Sequence, residues 1–247
     1  MRSYDITIIG AGVVGAAIGR ELSRYKLNIA LLEKETEVAF NVSKSNSGII
    51  HPGTQNPPGS LKGRLCLEGN ILMRKISRQL GVDFKEVGAL IVAFTEEEIL
   101  RLIDIKKEAE RLGVPKLRMV DQNWLKINEP NLSREARAAL YAPTAGIISP
   151  YRLVYDLCEN AVKNGAEIYT EHEVKNITKA GDFFEIHTNN TAFRSRFVIN
   201  AAGLFADVVS KMVGVTDFKI TPRKGEEYIL DKKREHVANH LLFPLNY

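Results

Sequence analysis

A short apolar segment near the N-terminus runs directly into a glycine pattern, and this junction constrains the fold more than any other part of the chain. Ile6–Ile9 is rich in β-branched residues, as expected for a parallel strand that is buried on both faces. Gly10, Gly12 and Gly15 follow with the spacing G-x-G-x-x-G. This pattern indicates a tight turn out of the strand, a close approach of backbone to a pyrophosphate, and close packing of a helix.

The residues after the glycines complete a strand–turn–helix–strand unit. Residues 16–25 have the pattern of a helix, residues 28–32 have that of a second strand, and Glu33 ends this strand. A carboxylate at that place accepts hydrogen bonds from ribose hydroxyls and would repel a 2′-phosphate. The unit therefore predicts an α/β, Rossmann-like fold that binds an adenine dinucleotide and disfavours NADP.

Composition places the chain among ordinary globular proteins. The 247 residues are 45% hydrophobic and carry 34 Lys and Arg against 30 Asp and Glu, a net charge of +4. The basic residues are interleaved with acidic ones, which argues against a nucleic-acid partner. No apolar stretch reaches the ~18 residues of a transmembrane helix, whereas peripheral contact with a membrane stays open.

The two cysteines, Cys66 and Cys158, lie in no spacing that is typical of a metal site. We therefore expect no metal ion. Two isolated cysteines also fit a reducing compartment, which favours a cytoplasmic location.

The middle of the chain breaks the regular alternation of strand and helix. Residues 35–60 have the composition of a long functional loop, and residues 61–80 predict a helix. The predicted buried face of this helix consists of Leu61, Leu65, Leu72, Ile76 and Leu80.

Later segments predict a second layer and a return to the first. Residues 84–149 predict a small α+β layer, and residues 173–199 predict a three-stranded antiparallel meander. A further strand is predicted at residues 226–230. An NAD dehydrogenase would continue with regular βα units, so this order favours FAD. We predict an FAD-binding domain, a parallel sheet plus a β-meander, from residues 1–83 and 150–214, and a substrate domain from residues 84–149 and 215–247.

Five further segments of the chain carry a specific pattern: Asn46–His51 with Gly53, Pro58–Lys62, Ala145–Ser149, Asn200–Gly203 and Lys224–Tyr228. In these segments the chain resembles the FAD-dependent oxidoreductases of the D-amino-acid oxidase and glycerol-3-phosphate dehydrogenase superfamily. Within it, the chain is most similar to the L-2-hydroxyglutarate dehydrogenase/oxidase branch. The resemblance further implies that the family plan continues past Tyr247, so that the substrate domain is incomplete here.

The resemblance implies specific contacts to FAD. Gly10, Gly12 and Gly15 would hold the pyrophosphate, and Glu33 would hold the adenosine ribose. The other predicted cofactor contacts are Ser45, Asn46, Ser47, Gly48, Val174, Ala202 and Gly203.

His51 is the predicted catalytic base. Oxidation of an alcohol sends a hydride to flavin N5 while a base takes the hydroxyl proton, and a histidine pKa near ~6.5 suits that base. A purely structural role for His51 stays open. The other four histidines have no comparable sequence context and are expected to be structural or exposed.

A small anionic substrate also requires cations. The candidates are Lys62, Arg64, Arg223 and Lys224, although each fits an ordinary surface charge as well. The predicted function is FAD-dependent oxidation of a small 2-hydroxy acid or of glycerol 3-phosphate. The electron acceptor (oxygen, a quinone or a protein) is undetermined. Two alternatives are an amino-acid oxidase or dehydrogenase of the same superfamily and a dinucleotide-binding fragment without activity.

Overall fold

The computed structural model describes residues 1–57 and 59–245, which form two compact units. The first unit consists of Met1–Asn46 and Ser149–Glu226, and the second consists of Ser47–Ile148 and the described residues from Glu227 onward. Pro58 and Tyr247, which belong to segments discussed above, lie outside the described residues.

The elements alternate between the two units along the chain. The helices are α1 (Val13–Leu22), α2 (Leu61–Leu80), α3 (Glu96–Arg111), α4 (Gln122–Asn128), α5 (Pro150–Lys163) and α6 (Ala206–Lys211). The strands are β1 (Arg2–Ile9), β2 (Ile29–Leu32), β3 (Ile49–Ile50), β4 (Phe84–Lys85), β5 (Ala89–Ala93), β6 (Arg118–Asp121), β7 (Ala138–Ala142), β8 (Gly146–Ile148), β9 (Glu167–Tyr169), β10 (Val174–Ala180), β11 (Phe183–Thr188), β12 (Ala192–Asn200) and β13 (Leu241–Pro244).

The first unit contains a six-stranded sheet in the order β10-β11-β12-β1-β2-β9. The four strands β12, β1, β2 and β9 run parallel, and β10, β11 and β12 form an antiparallel meander. Ile8, Leu31, Ile186 and Phe193 are fully buried in this unit. The predicted combination of a parallel sheet with a meander is therefore confirmed.

Helix α1 begins earlier than the apolar pattern predicted. It covers Val13–Leu22 instead of residues 16–25, because Gly12 has extended backbone angles and is itself the N-cap. Ser23 ends the helix as its C-cap. The glycine pattern therefore contributes the first turn of the helix as well as the loop before it.

The second unit contains two smaller sheets, in the orders β13-β5-β7-β6 and β3-β8-β4. Helix α3 begins at a capping box, in which the Thr95 side chain accepts from the Glu98 backbone and the Glu98 side chain accepts from the Thr95 backbone. Leu102 of α3 and Leu140 of β7 are buried in one cluster. None of the described helices is long and apolar enough to span a bilayer.

Helix α2 buries a different face from the predicted one. Leu61, Leu65 and Leu72 are about half exposed or more, at 62%, 51% and 49%. The residues that α2 buries are Gly63, Asn70 and Ser77. The cause is a pair of hydrogen bonds, since the Asn70 amide donates to two backbone carbonyls of the second unit. These bonds keep the face with small and polar residues on the buried side of the helix.

The contacts of α2 also explain where the two units divide. The predicted division places residues 47–83 with the FAD-binding domain, whereas by contacts they lie in the second unit. Asn70 hydrogen-bonds to Thr144, and Leu67 packs against the cluster that contains Leu102. The assignment of an FAD-binding and a substrate domain stays a prediction.

The strand predicted at residues 226–230 does not form. Tyr228 and Ile229 are 92% and 96% exposed, and no described strand pairs with them. Because a strand requires a neighbour for its backbone hydrogen bonds, this segment has no strand structure and is exposed to solvent.

Strand β13 returns to the second unit and pairs in parallel with β5. The residues just before β13 are held by Glu129, whose side chain is 1% exposed. Its carboxylate accepts the Asn239 backbone N–H at 3.0 and 3.1 Å and contacts Nδ1 of His240 at 2.6 Å. The His240 ring packs against Trp124 and Tyr141.

We predict that Glu129→Ala lowers the free energy of unfolding by about 3 kcal/mol. The substitution removes the buried acceptor of the Asn239 backbone N–H and of the partly buried His240 ring. Chemical denaturation measures the change. Glu135→Ala, which truncates an exposed glutamate nearby, should change the free energy by less than ~0.5 kcal/mol, and equal losses in both variants would refute the anchoring role.

Candidate functional site

The turn after β1 requires glycine at two positions. Gly10 has a φ of 101°, and a Cβ there would lie 2.5 Å from the carbonyl oxygen of Ala201. A Cβ at Gly15 would overlap the backbone carbonyl oxygen of Gly10. The turn, helix α1 and the residues after β12 can therefore lie this close together only because both side chains are absent.

The N-terminus of α1 has the properties of an anion site. Gly12, the N-cap, provides no side-chain hydrogen bond. The Val13 amide donates instead to the hydroxyl oxygen of Ser43 at 2.9 Å. The first-turn amides and the helix dipole favour negative charge at this place. Sequence reasoning missed Ser43, because a serine in a long loop carries no signal of its distance to the helix.

Glu33 is buried at the end of β2, where its carboxylate is held by the backbone. Oε2 accepts from the Ala11 amide at 2.9 Å, and Oε1 accepts from the Glu35 amide at 3.1 Å. A carboxylate oxygen has a second lone pair, so both oxygens can still accept a hydroxyl. Burial, and secondarily the Glu33 charge, raises the pKa of the Cys158 thiol to about 12, so this thiol is neutral at physiological pH.

The turn after β1, the end of β2 and Ser43 line a solvent-open cleft within the first unit. The cleft brings together the predicted cofactor residues Gly10, Gly12, Glu33, Val174, Ala202 and Gly203. Its other lining residues include Lys34, Phe40, Ser43, His172, Phe205 and Met212, which the sequence did not single out.

Two of these additional residues pack on each other. The Lys34 ammonium lies 3.7 Å from the ring centre of Phe205. The Phe205 position carried no sequence signal, because residues 203–205 form a 3₁₀ turn after β12 that precedes the short α6. His172, expected to be structural or exposed, also lies at the cleft, and its Nδ1 is 2.7 Å from the Thr170 carbonyl oxygen.

Five predicted cofactor residues lie outside the lining of this cleft. One is Gly15, which lies in the first turn of α1 and packs on the backbone of Gly10. Ser45 and Asn46 end one segment of the first unit, and Ser47 and Gly48 begin the second unit. The Asn46 amide donates to the carbonyls of residues 42 and 43 at 2.9 and 3.2 Å. Their contact with a cofactor stays a prediction.

His51 lies in the second unit, directly after β3. Its ring centre is 6.0 Å from that of Phe243. Partial burial, and then the positive charge of Lys62, hold the pKa of His51 below its ordinary value. The ring is therefore neutral at pH 7 and able to accept a proton.

The four candidate cations are divided between the units. Lys62 and Arg64 lie on α2 in the second unit, and Arg223 and Lys224 lie in the first. All four are exposed. The Lys224 ammonium is 2.6 Å from Glu226, and Arg64 is 3.8 Å from Glu68. Within residues 1–57 and 59–245, no group of three or more His, Cys, Asp or Glu side chains could hold a metal ion.

The sequence is similar to curated oxidoreductases. It is 41% identical over 240 residues to a glycerol 3-phosphate dehydrogenase of Caloramator mitchellensis, covering 97% of this chain and 50% of that protein. It is 33% identical over 258 residues to the mitochondrial L-2-hydroxyglutarate dehydrogenase of Homo sapiens, covering 98% and 55%. The chain thus spans about half the length of these relatives.

The fold is similar to solved flavoprotein structures. The dithionite-reduced L-α-glycerophosphate oxidase of Mycoplasma pneumoniae, with FAD bound, matches with a TM-score of 0.88 and 28% identity over 99% of this chain and 65% of that one. Glycine oxidase of Geobacillus kaustophilus matches with a TM-score of 0.80 and 28% identity over 87% and 59%. A profile of the FAD dependent oxidoreductase family matches residues 5–247, and the chain therefore belongs to that family.

Proposed function

We propose that this protein is an FAD-dependent oxidoreductase that oxidises glycerol 3-phosphate or a small 2-hydroxy acid such as L-2-hydroxyglutarate. The observation that carries the proposal is the 41% identity to a glycerol 3-phosphate dehydrogenase over 97% of the chain. Both kinds of curated relative are named for substrates in which an alcohol lies near an anionic group. A phosphate or a carboxylate is thus the expected second group of the substrate.

We infer that the cleft of the first unit would hold the adenosine diphosphate half of FAD. The α1 N-terminus and the backbone at Gly10 and Gly12 would bind the pyrophosphate, and Glu33 would accept the ribose hydroxyls. Val174, Ala202 and Gly203 line the same cleft and would contact the adenosine through their backbone. Ser45, Asn46, Ser47 and Gly48 would follow the cofactor towards its ring. When bound, FAD supplies the hydride acceptor.

We infer that His51 takes the proton of the substrate hydroxyl. A neutral imidazole is required for this step, and the lowered pKa of His51 keeps it neutral at pH 7. Lys62 lowers that pKa and is a cation near the same ring, so it can also attract the anionic group of the substrate. Arg64, Arg223 and Lys224 are the further candidates for that group.

The pH dependence of flavin reduction should reveal the coupling between His51 and Lys62. Since only neutral His51 accepts a proton, the limiting rate of flavin reduction should hold down to below pH ~6.5 and fall about tenfold per pH unit beneath the His51 pKa. Lys62→Met removes a charge that lowers this pKa, so the fall should move to higher pH. Stopped-flow reduction across pH measures both profiles. An unchanged profile in Lys62→Met would contradict the coupling of the two side chains.

We predict that Glu33→Gln weakens FAD binding about 10- to 100-fold. A neutral amide accepts at one oxygen only, so it cannot hold both backbone amides and the ribose hydroxyls. Quenching of flavin fluorescence measures the dissociation constant. Glu35→Gln is the matched control, because Glu35 lies on the same loop but does not line the cleft. Equal weakening of FAD binding in both variants would contradict a contact between Glu33 and FAD.

Oxidation of an amino acid is the second candidate. The structural similarity to glycine oxidase favours it, and an amine substrate would require the same cofactor contacts. Turnover with an added dye as acceptor separates the two, because alcohols give a ketone and amines release ammonia. Ketone from glycerol 3-phosphate or L-2-hydroxyglutarate supports the first candidate. A chain that binds FAD and gives neither product would be a dinucleotide-binding module without activity.

The electron acceptor and the compartment are proposals as well. Oxygen, a quinone and another protein are all compatible with the described residues, and oxygen consumption during turnover identifies the first. Cys66 and Cys158 are free thiols, which supports a reducing, cytoplasmic environment.

A further inference from the structure

Asn70 is a buried polar residue in the middle of α2, with 2% of its surface exposed. Its side-chain nitrogen donates to the His51 carbonyl oxygen at 3.0 Å and to the Thr144 carbonyl oxygen at 2.9 Å. One amide group therefore joins the residue after β3 to the turn between β7 and β8. Asparagine is a poor helix former, so helix formation does not account for its presence here, whereas these two hydrogen bonds do.

Arg74, one turn further along α2, determines which way the Asn70 amide faces. Its Nη1 donates to the Asn70 side-chain oxygen at 2.7 Å, and its Nη2 donates to the Thr144 carbonyl oxygen at 2.9 Å. Its Nε pairs with Glu86 at 2.5 Å. Because a guanidinium can only donate, the Asn70 oxygen must face Arg74 and the NH₂ group must face the carbonyls.

The hydrogen bond from Asn70 reaches the His51 carbonyl at a place where the backbone angles are restricted. Pro52 follows His51, and a residue before proline is restricted to extended ψ angles. The peptide between them has no N–H, so the His51 carbonyl oxygen is the only polar backbone atom there. Asn70, with a weak contact from Cys66 at 3.8 Å, holds this oxygen. The direction of the His51 Cα–Cβ bond follows from the orientation of this peptide.

We propose that Asn70 is a positioning residue, whose amide holds the His51 peptide so that the imidazole stays beside Phe243 and Lys62. The expected effect on catalysis rests on the proposed role of His51, whereas the expected effect on the position of the ring does not. Asn70 does not itself contact the reacting atoms.

The structural part is tested by NMR on the full chain without cofactor. Asn70→Asp keeps the size of the side chain but presents carboxylate oxygens to two carbonyls. We expect the His51 ring signals, assigned with His51→Asn, to move, because the ring leaves Phe243 and Lys62 and loses the shift that the Phe243 ring causes. Asn70→Ser, which keeps one donor, should change the signals less and in the same direction. Unchanged His51 signals in a folded Asn70→Asp chain would overturn the proposal.

Two control variants separate positioning from a general loss of packing. Thr144→Val keeps the carbonyl that Asn70 binds and removes a buried hydroxyl that has no partner among the described residues. Ser77→Ala alters another buried residue on the same face of α2. Neither should move the His51 signals. If both Asn70 variants fail to fold, the unaltered chain decides: the Asn70 side-chain protons should exchange with solvent far more slowly than those of exposed Asn189, and equal rates would overturn the proposal.

The catalytic part is tested by a double-mutant cycle on the FAD-loaded chain. Asn70→Asp should slow flavin reduction about 10- to 100-fold, the effect of a small misplacement of a catalytic group, with less than about a threefold change in half-saturating substrate. In the His51→Asn background it should add no further loss. An equal loss in both backgrounds would show that Asn70 acts independently of His51. If His51→Asn alone has little effect, the base assignment fails, and the NMR result still decides the positioning role.

Discussion

Replacing Gly15 with alanine should weaken FAD binding about 5- to 150-fold. The added Cβ would overlap the Gly10 carbonyl oxygen, which is a backbone atom that no side-chain rotation can move away. Relief requires α1 to move off β1 and the turn, and this motion displaces the helix N-terminus from the pyrophosphate. Overpacking of this kind costs about 1–3 kcal/mol, and each 1.4 kcal/mol of lost binding is a factor of about ten.

Gly69→Ala is the matched control for this variant. Gly69 also lies inside a helix, and a Cβ there would meet no atom within 4 Å. Alanine should therefore leave FAD affinity unchanged and stabilise α2 by up to about 1 kcal/mol. Fluorescence titration with FAD and thermal denaturation measure the two effects. Normal FAD affinity in Gly15→Ala would mean that the turn after β1 does not hold the cofactor.

Replacing His51 with asparagine should slow flavin reduction by ~10²–10⁴-fold, the usual contribution of a general base. Asparagine can still form hydrogen bonds, but it cannot accept a proton at neutral pH. FAD affinity should stay unchanged, because the proposed site of the adenosine diphosphate half lies in the first unit. Stopped-flow reduction under saturating substrate measures the limiting rate.

His236→Asn is the control for this second variant. The His236 side chain is 88% exposed, so its replacement should leave the reduction rate unchanged. A loss of less than tenfold in His51→Asn would assign His51 a structural role, which is the alternative that the sequence left open.

The first 33 residues predicted their structure well, because nearly all of the relevant contacts are local or repeat a fixed geometry. The apolar strand, the glycine spacing and Glu33 all lie where the pattern placed them, whereas α1 begins before residue 16 and ends before residue 25, at Val13 and Leu22. That start was misplaced because an N-cap is normally a serine, threonine, aspartate or asparagine. Gly12 has no side chain that would mark it as one.

Helix α2 shows why the rest of the site could not be predicted in the same way. A stripe of leucines is typical of a buried face, yet here Asn70 and its two carbonyl acceptors lie on the buried side. Those acceptors are 19 and 74 residues away in sequence, and no periodicity records them. Ser43 at the start of α1 is a second case, since its hydroxyl meets an amide 30 residues earlier.

The most direct test of the proposed activity is anaerobic mixing of the FAD-loaded chain with glycerol 3-phosphate and, separately, with L-2-hydroxyglutarate. Loss of the flavin absorbance band reports hydride transfer without any electron acceptor. We predict that at least one of the two compounds bleaches the bound flavin within a single turnover, and that His51→Asn slows this bleaching. A chain that binds FAD stoichiometrically but is bleached by neither compound, while dithionite still bleaches it, would contradict the proposed oxidation of hydroxy acids and glycerol 3-phosphate.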